Sequence, residues 1–310
     1  MLWQHGAWAV EQVLAGKTTG GDTMASAAKN FTVDRLTSSI GARIEGIDPR
    51  DIDSELATRL REELGRHGVL VFHAPDMTAD EQCAFAAHFG SPMGHPVKEF
   101  LVGGPDDPIS VVENDAEKPP QDDQDFHTDY SFNGEIPDLA ILRPEILPTN
   151  GGDTIWSSTA AAYRLLSDSY RQILGSMNGV HDAGERFWFE MDRMLGPEQA
   201  TKARNAFPSV MHPVITAHPV TGEPLLFVNP GYTVSIDGLT APESRSMLQM
   251  LFELLNDSSL HYRHRWHEGD LVMWDEHATV HRGPSDFHPE HRKLTRVTAN
   301  RRAPRSFVPA

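Results

Sequence analysis

The chain of 310 residues contains a single cysteine, Cys83, so no disulfide can form within it. It has no apolar run long enough to cross a membrane, and no basic segment followed by an apolar core of the kind that directs secretion. Positive charge is scarce too, because 27 Lys and Arg stand against 44 Asp and Glu, for a net charge of −17. This charge argues against nucleic acid and anionic membranes as partners. These absences together predict a soluble, cytoplasmic protein.

The N-terminal 30 residues differ from the rest of the chain. A short amphipathic stretch is followed at 16–22 by a run rich in Gly and Thr, which lacks the Gly-x4-Gly-Lys-Ser/Thr spacing of a phosphate-binding loop. This composition predicts a flexible extension over residues 1–30, with a partner-binding arm as the alternative. No linker follows, so residues 31–310 are predicted to form one domain.

Helix and strand signals predict a mainly β fold with flanking helices (α+β). Helices are predicted after Ser54, after Thr78, from Thr159 through Ile173 and after Thr240, on apolar spacing and capping residues. Short β-rich runs between turn residues predict strands at 69–72, 139–146, 154–157, 225–228, 271–274 and 294–298. The second half shows no βαβ alternation, which favours an antiparallel sandwich or jelly roll.

His127 and Asp129 are the first candidate site residues. Two residues apart on a strand, their side chains would point to one face. One imidazole nitrogen and one carboxylate oxygen are two corners of the two-His-one-carboxylate site of non-haem Fe(II) oxygenases. Of the 16 histidines, His281 is the candidate third ligand, because it follows the apolar run 271–274 closely. A lone histidine of this kind is more often structural.

Two arginines strengthen the case for His281. Arg292 and Arg296 follow it by 11 and 15 residues. Four residues apart on a strand, their guanidinium groups face the same way. A guanidinium binds a carboxylate through paired hydrogen bonds and stays charged in a buried site. The pair therefore predicts a pocket that holds two anionic groups, although either arginine alone would be read as a surface residue.

In combination, these residues resemble the TauD/TfdA (taurine dioxygenase) family of Fe(II)- and 2-oxoglutarate-dependent dioxygenases. The resemblance runs from about residue 35 to about residue 300 and rests on His127-x-Asp129, Gly151-Gly152-Asp153-Thr154-Ile155-Trp156, Trp274-Asp275 with His281, Arg292 with Arg296, and further matches at His95-Pro96-Val97, His212-Pro213-Val214, His218-Pro219 and Phe227-Val228-Asn229. It implies a single catalytic domain with a double-stranded β-helix (jelly-roll) core over 31–310. It also implies a homo-oligomer, either a dimer or a tetramer.

The resemblance assigns roles to the candidate residues. His127, Asp129 and His281 would bind Fe(II). Thr154 and Arg292 would hold the distal carboxylate of the cosubstrate 2-oxoglutarate. Arg296, with His95 and Tyr130, would face the anionic group of the primary substrate. The implied reaction uses O2, releases succinate and CO2, and hydroxylates a small carboxylate- or sulfonate-bearing substrate. Hydroxylation beside a heteroatom would lead to C–heteroatom cleavage.

Three further positions bear on the substrate. Lys98 stands where taurine-specific members have Tyr, and it would either add charge for a carboxylate or be a solvated loop residue. Asp123 stands where those members have Asn, and it would either accept a substrate amine or belong to an acidic loop. Tyr232 is predicted to line the pocket, with a plain core position as its alternative.

Other functions stay open at this point. A specialised member of the same family would desaturate an amino-acid-derived carboxylate or convert it to an isonitrile. A non-catalytic binding protein on this fold would have lost a metal ligand or the cosubstrate arginine, and this chain retains both. A cupin-like Zn or Mn hydrolase would not require Thr154 and Arg292 together.

Overall fold

The computed structural model describes residues 30–100, 107–120 and 125–308, without the side chains at positions 98, 99, 186 and 190. The predicted flexible extension at 1–30 therefore lies outside the described residues, apart from Asn30. The strands of the described residues are β1 (Thr32–Arg35), β2 (Ala42–Glu45), β3 (Val69–His73), β4 (Pro92–Met93), β5 (Ile109–Asn114), β6 (Leu139–Ile146), β7 (Thr154–Ser158), β8 (Asn178–His181), β9 (Val210–Pro213), β10 (Ile215–Ala217), β11 (Pro224–Leu226), β12 (Thr233–Ile236), β13 (His261–His264), β14 (Asp270–Asp275), β15 (Thr279–Arg282) and β16 (Arg292–Ala299).

Helices flank these strands. They are α1 (Ser54–His67), α2 (Ala79–Ala87), α3 (Thr159–Leu165), α4 (Asp168–Leu174), α5 (Gly184–Leu195), α6 (Pro197–Ala206) and α7 (Ala241–Leu255), with short 3₁₀ helices at Pro96–Phe100 and Ser258–Leu260. None of the helices in the described ranges is long and apolar enough to span a membrane.

Two sheets form the core of the fold. The larger has the strand order β1-β2-β3-β14-β6-β16-β4, with β5 also paired to β16, and the smaller has the order β13-β7-β15. Within the described residues every pairing is antiparallel except β2 with β3. The sheets pack face to face, because Trp156 of β7 lies 5.5 Å from Trp274 of β14 between ring centroids. The predicted jelly-roll core is confirmed.

Strand β14 shows how the sequence places the core. Its six residues are all buried. Leu271 and Met273 join the apolar cluster beneath α1 and α2, whereas Val272 and Trp274 join the cluster between the two sheets. Alternate side chains of a strand point to opposite faces, so a strand covered on both sides reads as a continuous apolar run.

Three of the four predicted helices form as expected. Capping boxes begin α2 at Thr78 and α7 at Thr240, while α1 ends at Gly68, where φ is +69°. The helix predicted from Thr159 through Ile173 is wrong in its length. Leu166 is extended, with ψ of 140°, and the Ser167 hydroxyl accepts from the Tyr170 amide to begin α4. A serine that caps a new helix competes with continuation of the old one.

The predicted strands also form, with small shifts at their ends. The run predicted at 225–228 is shorter as β11, Pro224–Leu226. The sequence signals did not predict α5 and α6, although the pair Gly196-Pro197 marks where one ends and the other begins. Helix α5 carries Phe187 and Met191, which line the cavity described next.

Candidate active site

His127, Asp129 and His281 lie together, as the sequence predicted, and are called the His–Asp–His cluster below. Asp129 Oδ1 lies 3.7 Å from His127 Nε2 and 3.8 Å from His281 Nε2. One ligand atom from each residue falls within 4.8 Å of the others. These separations allow a single ion to contact all three groups at ordinary metal–ligand distances of about 2.1 Å.

The local structure that forms the cluster differs from the prediction. His127 and Asp129 are not on a regular strand. His127 makes an isolated bridge to His281 of β15, with reciprocal backbone hydrogen bonds of 3.0 and 2.8 Å. The chain then turns, and Tyr130 adopts a φ of +58°. The bridge and the turn, rather than the alternation of a strand, therefore bring the two side chains together.

Neighbouring groups orient the cluster. His127 Nδ1 lies 3.0 Å from the carbonyl oxygen of Asp125, which leaves Nε2 facing Asp129. Burial and the charge of His127 lower the pKa of His281 to about 3, so its imidazole is neutral and able to bind a metal.

Glu276 accepts a hydrogen bond from the backbone of Asp129 and so supports the cluster. The sequence did not predict this role. The Asp129 amide donates to Glu276 Oε2 at 2.9 Å, and the Trp274 indole donates to Oε1 at 2.7 Å. Burial and the nearby carboxylate of Asp129 raise the pKa of Glu276. The acid thus links the central strand β14 to the turn that carries Asp129.

Arg296 contacts the cluster directly. Its Nη1 donates to both oxygens of Asp129, and its Nη2 donates to the Tyr130 hydroxyl at 3.0 Å. Burial alone would raise the pKa of Asp129, but the charge of Arg296 outweighs it, and the pKa falls to about 2. Arg296 also lines the cavity, so it touches both the cluster and the space beside it.

Arg292 and Thr154 lie at another wall of the same cavity. Arg292 Nε donates to the carbonyl oxygen of Gly152 at 2.9 Å, and the residue is only 6% exposed. Burial lowers its pKa to about 10, so it stays charged at neutral pH. Within the described ranges, no carboxylate forms a salt bridge with Arg292, and a buried cation of this kind calls for an anionic ligand.

The cavity between the two sheets has a volume of about 390 Å³. It is lined by the predicted residues His127, His281, Thr154, Arg292, Arg296 and Tyr232, and by apolar side chains that include Val112, Leu142, Ala183, Phe187, Met191 and Leu294. Sequence reasoning missed Met191, whose spacing of four from Phe187 on α5 would have been the signal.

Two predicted substrate residues lie beside the cavity lining. The His95 ring packs edge-on against Tyr130 at 4.8 Å and stacks on Phe187 at 6.3 Å between centroids. The Tyr130 hydroxyl contacts Arg296. Asp123 and the side chain of Lys98 lie outside the described residues.

A network of buried polar side chains lies next to these residues. It includes His212 and Asn229, which belong to two of the motifs that the sequence shares with the family. Ser131 Oγ accepts from Asn229 Nδ2 at 3.0 Å and lies 3.2 Å from His181 Nδ1, while Asn229 Oδ1 accepts from the Tyr232 amide at 2.8 Å. His212 Nε2 lies 3.0 Å from the carbonyl oxygen of Ser131. The network therefore joins the turn after Asp129 to the Tyr232 loop and to the strand that precedes α5.

The donor set fits an Fe(II) site of the open type. Two imidazole nitrogens and one carboxylate oxygen leave coordination positions free. His127 and His281 both line the cavity, so those positions face the space that Arg292 and Arg296 also border. A closed structural zinc site would instead fill its coordination shell with protein ligands.

Comparisons with known proteins agree with this arrangement. The family model for taurine catabolism dioxygenase TauD, TfdA family, matches residues 32–298. An alkylsulfatase of Acinetobacter baylyi is 32% identical over 85% of this chain and 83% of the relative. An alpha-ketoglutarate-dependent 2,4-dichlorophenoxyacetate dioxygenase of Cupriavidus pinatubonensis is 32% identical over 83% of this chain and 93% of the relative. The crystal structure of a taurine dioxygenase from Burkholderia xenovorans aligns with a TM-score of 0.73 and 30% identity, over 88% of this chain and 90% of that one.

Proposed function

Because the chain belongs to the taurine catabolism dioxygenase TauD, TfdA family, and is thereby an oxidoreductase that uses Fe(II), 2-oxoglutarate and O2, we propose that it hydroxylates a small organic anion. The anionic group is a carboxylate, a sulfonate or a sulfate ester. The observation that carries this proposal is the opening of the His–Asp–His cluster into a cavity bordered by the buried Arg292 and the partly buried Arg296.

His127, Asp129 and His281 are the residues that would hold the iron. When bound, Fe(II) supplies activation of O2 and oxidative decarboxylation of 2-oxoglutarate to succinate and CO2. The protein contributes neutral imidazoles, a carboxylate that is ionised at neutral pH, and fixed orientation of all three. Both histidines reach the site through Nε2, and the backbone bridge between them fixes their spacing.

Arg292 and Thr154 are proposed to hold the distal carboxylate of 2-oxoglutarate. The Gly152 carbonyl fixes Nε of Arg292, so its two terminal nitrogens remain to donate to a carboxylate. Thr154 is buried on β7 and lines the same cavity, which allows its hydroxyl to add a hydrogen bond. Together they would set the distance of the cosubstrate's keto acid end from the His–Asp–His cluster.

Arg296 is proposed to hold the anionic group of the primary substrate, with His95 and Tyr130 beside it. The side chains of Phe187, Met191 and Val112 would hold an apolar portion of the substrate. The names of the alkylsulfatase and the 2,4-dichlorophenoxyacetate dioxygenase reported above refer to substrates of this type, in which an anionic group is joined to an apolar portion. Hydroxylation beside the ester or ether oxygen would release the anion by C–O cleavage.

Lys98 and Asp123 remain proposed substrate residues, and Tyr232 is proposed to wall the substrate pocket near His127, from which its ring lies 6.0 Å between centroids. Desaturation or isonitrile formation in a specialised pathway stays the alternative outcome at the same iron.

We also propose a cytoplasmic location, the absence of nucleic-acid and membrane partners, and a dimer or tetramer. The single cysteine and the charge of −17 support the first two, and family resemblance supports the last.

The test uses the whole chain without oxygen. Fe(II) and 2-oxoglutarate together should produce the weak visible charge-transfer band of the chelate, and His281→Ala should abolish it. His88→Ala, which changes an exposed histidine distant in sequence from the cluster, is the control and should keep the band. A screen for succinate release over carboxylates, sulfonates and sulfate esters then identifies the substrate class. A wild-type protein that shows no band and never releases succinate contradicts the proposal.

A further inference from the structure

We propose that Trp266 is a positioning residue, which directs the Thr154 hydroxyl to donate its hydrogen to the distal carboxylate of 2-oxoglutarate. The inference rests on the proposed function, because it concerns the cosubstrate subsite. Trp266 contacts Thr154 and is not among the residues that line the cavity, so its effect would be exerted through the direction of one hydrogen bond.

The contact with Trp266 restricts the direction of the Thr154 hydroxyl. Trp266 Nε1 lies 3.1 Å from Thr154 Oγ1, and both residues are buried. An indole N–H only donates, so the Thr154 oxygen must accept this bond. Its single hydrogen then points away from the indole, and in the described residues no other hydrogen bond uses it. Thr154 and Arg292 both line the cavity, so a ligand there can accept this hydrogen.

The indole itself is firmly held. Strand β13 pairs with β7 so that His264 lies opposite Thr154, and Trp266 follows two residues later. The Trp266 ring packs edge-on against the His264 ring at 4.7 Å. His264 in turn lies 3.0 Å from the carboxylate of Asp270 and 2.8 Å from the Tyr262 hydroxyl. A ring with this support presents its N–H in one direction.

Removal of the indole N–H would free the Thr154 hydroxyl to rotate. It could then accept from Arg292 instead of donating to the ligand, and one donor in the subsite would be lost. A hydrogen bond to a charged group contributes on the order of 1.5 kcal/mol, which corresponds to roughly tenfold in affinity. The loss would concern only ligands that carry a distal carboxylate.

The experiment compares two keto acids on Trp266→Phe, which keeps an aromatic ring and removes the N–H. Each acid is titrated anaerobically into the Fe(II)-loaded protein, and the dissociation constant is read from the charge-transfer band. 2-Oxoglutarate should bind about tenfold more weakly than to wild type, whereas 2-oxobutyrate, which has no distal carboxylate, should bind equally. The control is Trp156→Phe, because that buried indole N–H has no hydrogen-bond partner among the described residues, and the affinity of this variant for 2-oxoglutarate should not change.

A second arm tests the pathway of the effect. Thr154→Val should weaken 2-oxoglutarate binding by itself, and the double variant should be no weaker than Thr154→Val. Equal weakening of both keto acids by Trp266→Phe, unchanged binding of 2-oxoglutarate, or additive losses in the double variant would each overturn the positioning role. A wild-type protein that gives no band with either acid overturns the dioxygenase proposal and this inference with it.

A measurement on wild type covers the case in which Trp266→Phe does not fold. In the Zn(II)-loaded protein, the indole N–H resonance of Trp266 is assigned by its change in Thr154→Val. It should shift when 2-oxoglutarate is added and stay in place with 2-oxobutyrate. An unmoved resonance under saturating 2-oxoglutarate overturns the inference.

Discussion

Both carboxylate oxygens of Asp129 accept hydrogen bonds from Nη1 of Arg296, at 3.0 and 2.8 Å. Asp129 is buried and Arg296 is partly buried, with side-chain exposures of 5% and 15%. The acid of the His–Asp–His cluster therefore has a cationic partner that is independent of a metal. This contact links the stability of the fold to metal binding, and it leads to the first prediction.

Arg296→Met should destabilise the metal-free protein by about 3–5 kcal/mol, because the variant leaves a buried carboxylate without its partner. A divalent metal supplies the missing positive charge, so saturating Mn(II) should raise the melting temperature of the variant more than that of wild type. Thermal unfolding with and without Mn(II) measures both effects. Arg66→Met, which removes an exposed ion pair with Glu63, is the control and should change stability by about 0–1 kcal/mol. Equal stability of wild type and Arg296→Met without metal would contradict this account.

Gly152→Ala should weaken 2-oxoglutarate binding by about tenfold or more, because the new methyl group displaces Arg292. A Cβ at Gly152 would lie 2.9 Å from Arg292 Cδ, and φ there is +71°. Gly222→Ala is a matched control, since its φ is +72° but nothing lies within 4 Å of its Cβ. Both variants carry the same backbone strain, so titration of the chelate band isolates the displacement of Arg292. Similar affinities in the two variants would show that strain alone acts.

Asp138 should make the fold sensitive to strong acid. Burial opposes its ionisation, but hydrogen bonds from His277 and Asn300 and the charge of Arg302 prevail, and the pKa falls to about 2. A carboxyl group with a lowered pKa stabilises the fold above its unfolded value near 3.9, and this contribution disappears as the pH falls to about 2.

The loss for Asp138 should be on the order of 2 kcal/mol between pH 4 and pH 2. Asp138→Asn should be less stable than wild type at pH 7, and the difference should shrink by that amount at pH 2. Urea unfolding at several pH values measures it. Asp237→Asn, an exposed position, should follow the wild-type pH dependence, and a constant gap for Asp138→Asn across this range would refute the prediction.

Phe187→Ala should change the enzyme's preference for the length of the substrate's apolar tail. Phe187 lines the cavity from α5, whereas Phe189 on the same helix is 62% exposed. Loss of this partly buried ring should lower kcat/KM roughly tenfold for an anion with a long apolar tail and little for a short one, because apolar burial scales with contact area. Rates for a homologous series of alkyl sulfates measure this, with Phe189→Ala expected to match wild type. A uniform loss along the series would exclude a role in tail recognition.

The sequence predicted which residues meet at the cavity better than it predicted the contacts that hold those residues in place. Residues of one short segment, such as Arg292 and Arg296, could be assigned because a strand has a fixed period. The salt bridge between Arg296 and Asp129 joins residues 167 positions apart, and strand register over such a distance is not written in local pattern. Glu276 and Trp266 escaped prediction for the same reason, since each acts through a partner in another element.

The errors in the predicted fold have local causes. The helix through Ile173 was too long because Ser167 fits a helix interior by spacing but forms a cap in the structure. His127 was assigned to a strand because the pattern His-x-Asp suits one, whereas a single backbone bridge and a turn give the same convergence. Apolar periodicity does not distinguish these arrangements.

The polar network around Ser131 supports the metal-binding turn separately from the apolar wall of the cavity. It fixes the turn after Asp129 and the Tyr232 loop from within the core, while α5 supplies Phe187 and Met191 from outside that network. Substitutions on α5 can therefore reshape the apolar wall and leave the metal-binding turn intact. A lineage could acquire new substrates along this helix without rebuilding its oxidation chemistry.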